Sequence, residues 1–224
     1  MSCAKRARQL ADYIIGLPEI NNIPDPANQF SYYHIGALYT DLVLQAGLNY
    51  NTVVKPRVQR VLLNYPEEYT VTKFKRIIDK DGLETVIDWK HHVKLSRLHL
   101  LLEFSISKSI DTCVDLKAFF SQKDSHDIFL SLNGFGPKSL DYLLKLLNID
   151  TVAVDRHIYS FVKLANIEAK GYQENKKIVE FAADFLNLPR SAVDRLIWDY
   201  MSKKEYIRRS VDCQYIIPFP DQRS

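Results

Sequence analysis

Leu-Ser-Leu-Asn-Gly-Phe-Gly-Pro-Lys-Ser-Leu at residues 130–140, with Val-Asp-Arg-His at 154–157, decides how this chain is read. Gly134 and Gly136 stand one residue apart at the tip of a turn. Pro137 follows at a place suited to the first turn of a helix, with Lys138 beside it. Glycines there let the backbone fold tightly and come close to a large anionic partner. The helix that follows offers its free N–H groups to that anion. Asp155 arrives 17 residues after Lys138, beyond one amphipathic helix. An amine and a carboxylate flanking such a turn can do chemistry on a nucleic acid. A Gly-x-Gly pair is also an ordinary interhelical turn, and Leu132, Phe135 and Leu140 around it suit the packing of two hairpin helices.

Outward from this stretch the chain reads as all-α. Apolar residues recur at helical period over 4–16, 52–64, 83–89, 92–105, 125–132, 137–147, 155–164, 172–186 and 190–203. Two further helices have a recognisable start: one from Ser31 to about Gln45 with Ser31 as its cap, and one over 70–79 capped by Thr70. The proline-bearing segment after Gly16 reads as an irregular connection. From Val211 onward the chain, with Pro218 and Pro220, reads as extended, and Val211–Ile217 could pair briefly as a strand.

Composition narrows the function classes. The 224 residues suffice for one good core or two lobes sharing a cleft. Hydrophobic content of 46% and charged content of 25% are those of an ordinary globular protein. A net charge of +3 is compatible with nucleic acid without pointing to it. No apolar run reaches the length of a membrane span, and no apolar core follows the basic N-terminus, so an intracellular protein without a secretory signal or membrane attachment is expected. Cys3, Cys113 and Cys213 are odd in number and far apart, which argues against a disulfide framework. Three cysteines also cannot hold a four-cysteine iron–sulfur cluster. His91 and His92 have no Cys or Glu at metal spacing.

The hairpin stretch resembles the helix-hairpin-helix base-excision-repair superfamily, which includes endonuclease III and the 8-oxoguanine glycosylases. In its lyase-competent branches a lysine lies two positions after the second glycine, where this chain has Lys138. Val-Asp-Arg-His is similar to the family's Val-Asp-x-His, which carries the catalytic aspartate, here Asp155. Leu44–Gly47 resembles, more weakly, a segment whose glutamine fills the gap left by an extruded base, which suggests Gln45. Asn-Ile-Asp-Thr-Val-Ala-Val stands where the family usually has a Gly- or Pro-containing loop before the aspartate.

The resemblance implies two helical lobes with a groove between them and the hairpin at one edge. One lobe would be 27–150, and the other would combine 1–26 with 151–224. Lys138 and Asp155 would stand on opposite walls of the groove. Function would then be removal of a damaged base, an oxidised purine of the 8-oxoguanine type being favoured over oxidised pyrimidines. Lys138 would attack C1′ and form a Schiff base, and Asp155 would stabilise an oxocarbenium-like transition state. Gly134, Phe135, Gly136, Gln45, His91 and Arg156 would contact DNA. Leu130, Leu132 and Phe135 would offer carbonyls to a structural monovalent cation; no other cofactor and no iron–sulfur cluster is required. The partner would be double-stranded DNA carrying the lesion, bound by a monomer in the cytoplasm, nucleoid or nucleus.

Each role has a plainer counterpart. Lys138 can be a phosphate-binding lysine, Asp155 a helix cap, and Gln45 an ordinary polar residue. Tyr142, one turn after Lys138, either lines the base pocket or packs in the core. His91, between Lys90 and His92, can sit in a solvated turn. Lys203, Lys204, Arg208 and Arg209 read as a solvated face, and Phe219 is one option for the pocket. Two rival functions follow: a monofunctional glycosylase for alkylated bases, and a non-catalytic helix-hairpin-helix DNA-binding protein.

Overall fold

Twelve α-helices make up the described part of the chain, with no strand among the described residues. A computed structural model describes residues 1–22, 31–122 and 124–214, with side chains given to Lys204 in the last helix. Phe219, the proline-containing tail and the side chains of Arg208, Arg209 and Cys213 lie outside the described residues. The chain separates into two compact units, Met1–Asn28 with Val154–Ser224, and Gln29–Ala153.

The unit Gln29–Ala153 holds eight helices: α2 (Ile35–Leu44), α3 (Lys55–Asn64), α4 (Val71–Asp81), α5 (Leu83–Ile87), α6 (His92–Ser107), α7 (Cys113–Phe120), α8 (Asp124–Leu130) and α9 (Pro137–Leu146). α2 is buried over its whole length and forms the axis of the core. Phe74, Leu98, Leu101, Leu116, Phe129, Leu140 and Leu143 pack in the same cluster. Burying one such side chain contributes roughly 1.5–3 kcal/mol. A β-carbon on Gly36 would run into the Phe74 ring, so α2 and α4 meet at a glycine.

The start of α2 differs from the expected one. Ser31 does not cap it; His34 does, with Nδ1 accepting the Ala37 N–H at 3.2 Å while Nε2 lies 2.9 Å from the Tyr65 carbonyl. The two bonds select one neutral tautomer, with the proton on Nε2. Burial holds the ring's pKa below its usual value. Thr70 caps α4 as expected, accepting the Lys73 N–H at 3.3 Å. The start expected at Thr52 instead contains a π-helical turn, Tyr50–Val54, before α3. α7 was not expected, although Thr112 and Asp115 form a reciprocal capping box in front of it.

The other unit joins α1 (Cys3–Ile15), α10 (Arg156–Leu164), α11 (Gly171–Leu186) and α12 (Arg190–Gln214). A 3-10 turn, Pro18–Asn22, begins the segment expected to be irregular. Ala7 and Ala11 of α1, and Ala182 and Ala183 of α11, are buried, and their small side chains let those two helices approach closely. Tyr13 meets Phe161 edge to face at 5.5 Å. α12 runs to Gln214, so Val211–Gln214 is helical and not extended. The polar run after Met201 hid this continuation, because helical period is legible only where one face is apolar.

Candidate nucleic-acid interface

The turn between α8 and α9 spans residues 131–136. Gly134 has φ +89, a region that favours glycine, and a β-carbon there would collide with Nε of Arg97. Gly136 differs: its φ of −134 and ψ of −176 are ordinary extended backbone. Nothing lies within 4 Å of the place its β-carbon would occupy. Only the first glycine is therefore required by the fold; the second leaves open space at the start of α9.

Phe135 points inward, its ring 5.0 Å from that of Phe129. Its side chain is core, so a contact with DNA can come only through its backbone. The Leu132 carbonyl accepts the Phe135 N–H at 3.2 Å, which uses one of the two lone pairs proposed for a cation. No group of three His, Cys, Asp or Glu suited to a metal occurs among the described residues.

α9 begins with Gly136 as its N-cap, which makes no side-chain capping bond, and Pro137 in its first turn. The first-turn N–H groups of Lys138 and Ser139 have no intrahelical partner, and such groups can receive an anion. The Lys138 side chain is exposed, and no ion pair or hydrogen bond holds it among the described residues.

One turn further along α9, the Tyr142 hydroxyl donates to Oδ1 of Asp41 at 2.8 Å. Asp41 lies one turn before Gln45, the residue that ends α2. Lys94 of α6 caps the same end of α2, donating to the carbonyls of Val43 at 2.7 Å and Ala46 at 2.8 Å. Burial, helped by neighbouring Arg97, lowers the Lys94 pKa. His91, the N-cap of α6, is exposed and stacks on His92 with centroids 5.2 Å apart. A chain of contacts thus connects the end of α2, the first half of α6 and the hairpin.

Arg97 is the functional candidate that sequence reasoning missed here. It packs on Gly134, and no acidic partner holds it among the described residues. Its signal was available, since His91, Lys94 and Arg97 recur every third residue on one helix.

In the other unit Asp155 is the N-cap of α10. Its Oδ1 accepts the N–H groups of His157 at 2.8 Å and Ile158 at 3.2 Å. The capping role is therefore real, and the second carboxylate oxygen remains for other work. Arg156 is exposed at the first position of α10. His157 is buried, with its ring edge-on to Trp198 at 6.1 Å. Trp198 leaves 41% of its surface open, an unusual exposure for so large an apolar ring. It was also missed, because nothing in its neighbours distinguishes it from a core tryptophan.

Burial pushes the Cys113 thiol up to about 12, which removes thiolate chemistry at neutral pH. No helix among the described residues is long and apolar enough to cross a membrane. Comparison with family models, with curated proteins and with solved structures found no match.

Proposed function

We propose that the chain is a DNA glycosylase with AP lyase activity, acting on a damaged base in double-stranded DNA. The observation that carries this reading is the start of α9. A glycine turn under Arg97, an uncapped helix N-terminus and a freely exposed amine occur together at Gly134–Ser139. Phosphate would rest on the N–H groups of Lys138 and Ser139, with Arg97 supplying a charge-assisted contact. A monovalent cation on hairpin carbonyls remains an optional part of this reading.

Lys138 would form a bond from Nζ to C1′ as the bond from C1′ to the base breaks. The departing base takes up the proton that the amine gives up, the C1′–O4′ bond then opens to form the Schiff base with a hydroxyl at C4′, and loss of a proton from C2′ expels the 3′ phosphate. Asp155, through the oxygen not used in capping, would stabilise positive charge on the sugar. Gln45 and His91 would fill the gap left by the extruded base, offsetting an unstacking cost of a few kcal/mol.

The exposure of Lys138 favours a second reading, in which the lysine binds phosphate and the chain is a monofunctional glycosylase or a non-catalytic DNA-binding protein. Borohydride trapping separates them, on duplexes carrying 8-oxoguanine, thymine glycol, uracil or an abasic site. The lyase reading expects an adduct that Lys138→Gln abolishes. Absence of an adduct on the abasic duplex would refute it and leave the second reading.

A further inference from the structure

Residues 151–154 lead into Asp155 in neither helix nor strand, yet all four are buried, with 0–6% of their surface exposed. Buried backbone outside regular structure has no repeating ladder, so its polar groups need partners from elsewhere. Side chains hold both ends of this stretch. At its start the Thr151 hydroxyl donates to Oδ1 of Asp141 at 3.1 Å. At its end the Val154 N–H donates to the Tyr172 hydroxyl oxygen at 3.3 Å. Val154 and Tyr172 belong to the unit that contains Asp155, and the anchored N–H lies one residue before that carboxylate.

The turn that carries Tyr172 is built to keep it in place. Gly171 has φ +66 at the start of α11, and the buried Asn175 donates from Nδ2 to the Gly171 carbonyl at 2.8 Å. The Glu174 carboxylate accepts the Lys170 N–H and pairs with Arg6 of α1. Arg6 also donates to the Glu168 carbonyl at 2.7 Å. None of these bonds uses the Tyr172 hydroxyl, which reaches back 18 residues to the chain entering α10. From the other side Asp155 is held by its own cap, with Oδ1 accepting the N–H groups of His157 and Ile158. The carboxylate is thus fixed both before and after itself in the chain.

We propose that Tyr172 is a positioning residue for Asp155, its hydroxyl setting where the carboxylate stands when the base departs. This rests on the glycosylase reading and names the residue that aims its carboxylate. Positive charge on the sugar is stabilised only by a carboxylate within about 0.5 Å of the productive place. Tyr172→Phe keeps the ring and removes the acceptor, so the Val154 peptide is free to turn and carry Asp155 with it. The charge stays present but misplaced. An abasic site has no base to expel: the amine adds to the open aldehyde and water leaves. Trapping there does not need the sugar charge that Asp155 stabilises.

The test measures single-turnover excision on whichever of the 8-oxoguanine, thymine glycol and uracil duplexes the wild type acts on. Borohydride trapping on an abasic duplex and affinity for an abasic-analogue duplex run beside it. Tyr172→Phe is expected to slow excision by about 10–100-fold, as for a group misplaced by about 1 Å. Trapping and affinity should stay within about twofold of wild type, since the lost contribution acts only as the base leaves. Thr112→Ala weakens the cap of α7 in the other unit, controls for lost stability, and should change none of the three. Excision and trapping slowed together, or excision left unchanged, overturns the proposal. If Tyr172→Phe does not fold, 3-fluorotyrosine at position 172 keeps the shape and weakens the oxygen as an acceptor. Excision should then fall at least about twofold while trapping holds, and an unchanged rate rejects the role. A wild type that traps nothing on the abasic duplex defeats the lyase reading alone; excision is then set against affinity, and equal losses reject Tyr172. A wild type that excises none of the three bases defeats the glycosylase reading, and amide exchange decides on Tyr172. Tyr172→Phe should quicken exchange at Val154, His157 and Ile158 at least about tenfold while α11 is unchanged. Wild-type protection at His157 and Ile158 in that variant overturns the proposal.

Discussion

Replacing Gly136 with alanine separates the two tasks a hairpin glycine can have. Its backbone is extended, and the new methyl group meets nothing within 4 Å. Two small folding terms oppose each other. Alanine is a poorer N-cap than glycine by roughly 0.5–1 kcal/mol. Restricting the unfolded chain returns roughly 0.4–1 kcal/mol. The sum lies within about 0.5 kcal/mol of zero, a melting shift of about 2 °C or less at this chain length. Binding should respond differently. A phosphate resting on the N–H groups of Lys138 and Ser139 passes beside this methyl group, and about tenfold weaker affinity is expected, or about 1.4 kcal/mol. No charge is removed, so the dependence of log K on log salt keeps its slope. Fluorescence anisotropy on an abasic-analogue duplex at several salt concentrations, paired with calorimetry, measures all three quantities. Gly134→Ala is the contrast. Positive φ and the collision with Arg97 should lower stability by about 1–3 kcal/mol, and affinity falls with it. Wild-type affinity in Gly136→Ala would refute the phosphate site. A melting loss of several degrees would refute the claim that the fold does not need this glycine.

Three further outcomes follow from the same geometry. Arg97→Ala should reduce the slope of log K against log salt by about 1, as expected for one lost phosphate contact, while Lys94→Ala acts mainly on stability by uncapping α2; an unchanged slope in titrations with Arg97→Ala removes Arg97 from the interface. His34 is neutral and held below its usual pKa by burial, so the unfolded chain takes up a proton first as pH falls below about 6.5. Stability should therefore decline on acidification through that point, by up to about 1.4 kcal/mol per pH unit from this group, and His34→Asn should flatten the decline in denaturant titrations. Thr112→Ala should remove one half of the capping box of α7 at a cost of about 1 kcal/mol, a melting shift of roughly 2–4 °C, and Thr112→Ser should restore most of it.

The helices were largely legible in the sequence because helical period, caps and breakers are local signals. Pro137 at the start of α9 and Thr70 before α4 needed nothing beyond their neighbours. The errors have local causes too. A histidine is an uncommon N-cap, so Ser31 drew the start of α2 away from His34. The capping box at Thr112 and Asp115 was readable but stood before a helix of only eight residues, Cys113–Phe120. The candidate site follows a different rule. Gly134 and Lys138 could be found because a turn concentrates its chemistry in a few consecutive residues. Asp41 could not, because its hydroxyl donors come from positions 32 and 142, and the Tyr142 bond spans 101 residues. No periodicity marks such a meeting, and each residue alone looks like an ordinary helical or loop position.

That difference bears on what a buried charge signifies. A helical core has its backbone polar groups satisfied within each helix, so it gains little from a side-chain carboxylate at its centre. Asp41 departs from the apolar pattern of α2 at a place where every neighbour within the helix is buried. Two phenols, those of Tyr32 and Tyr142, donate to it. Local consistency predicts the fold, and the residues that break it are those whose partners lie elsewhere in the chain or outside it. Lys138, exposed and unpaired, and Asp41, buried and paired twice, break the pattern in opposite directions. Lys138 lies one turn before Tyr142, whose hydroxyl donates to Asp41, so the position of α9 that presents the amine is tied to that carboxylate.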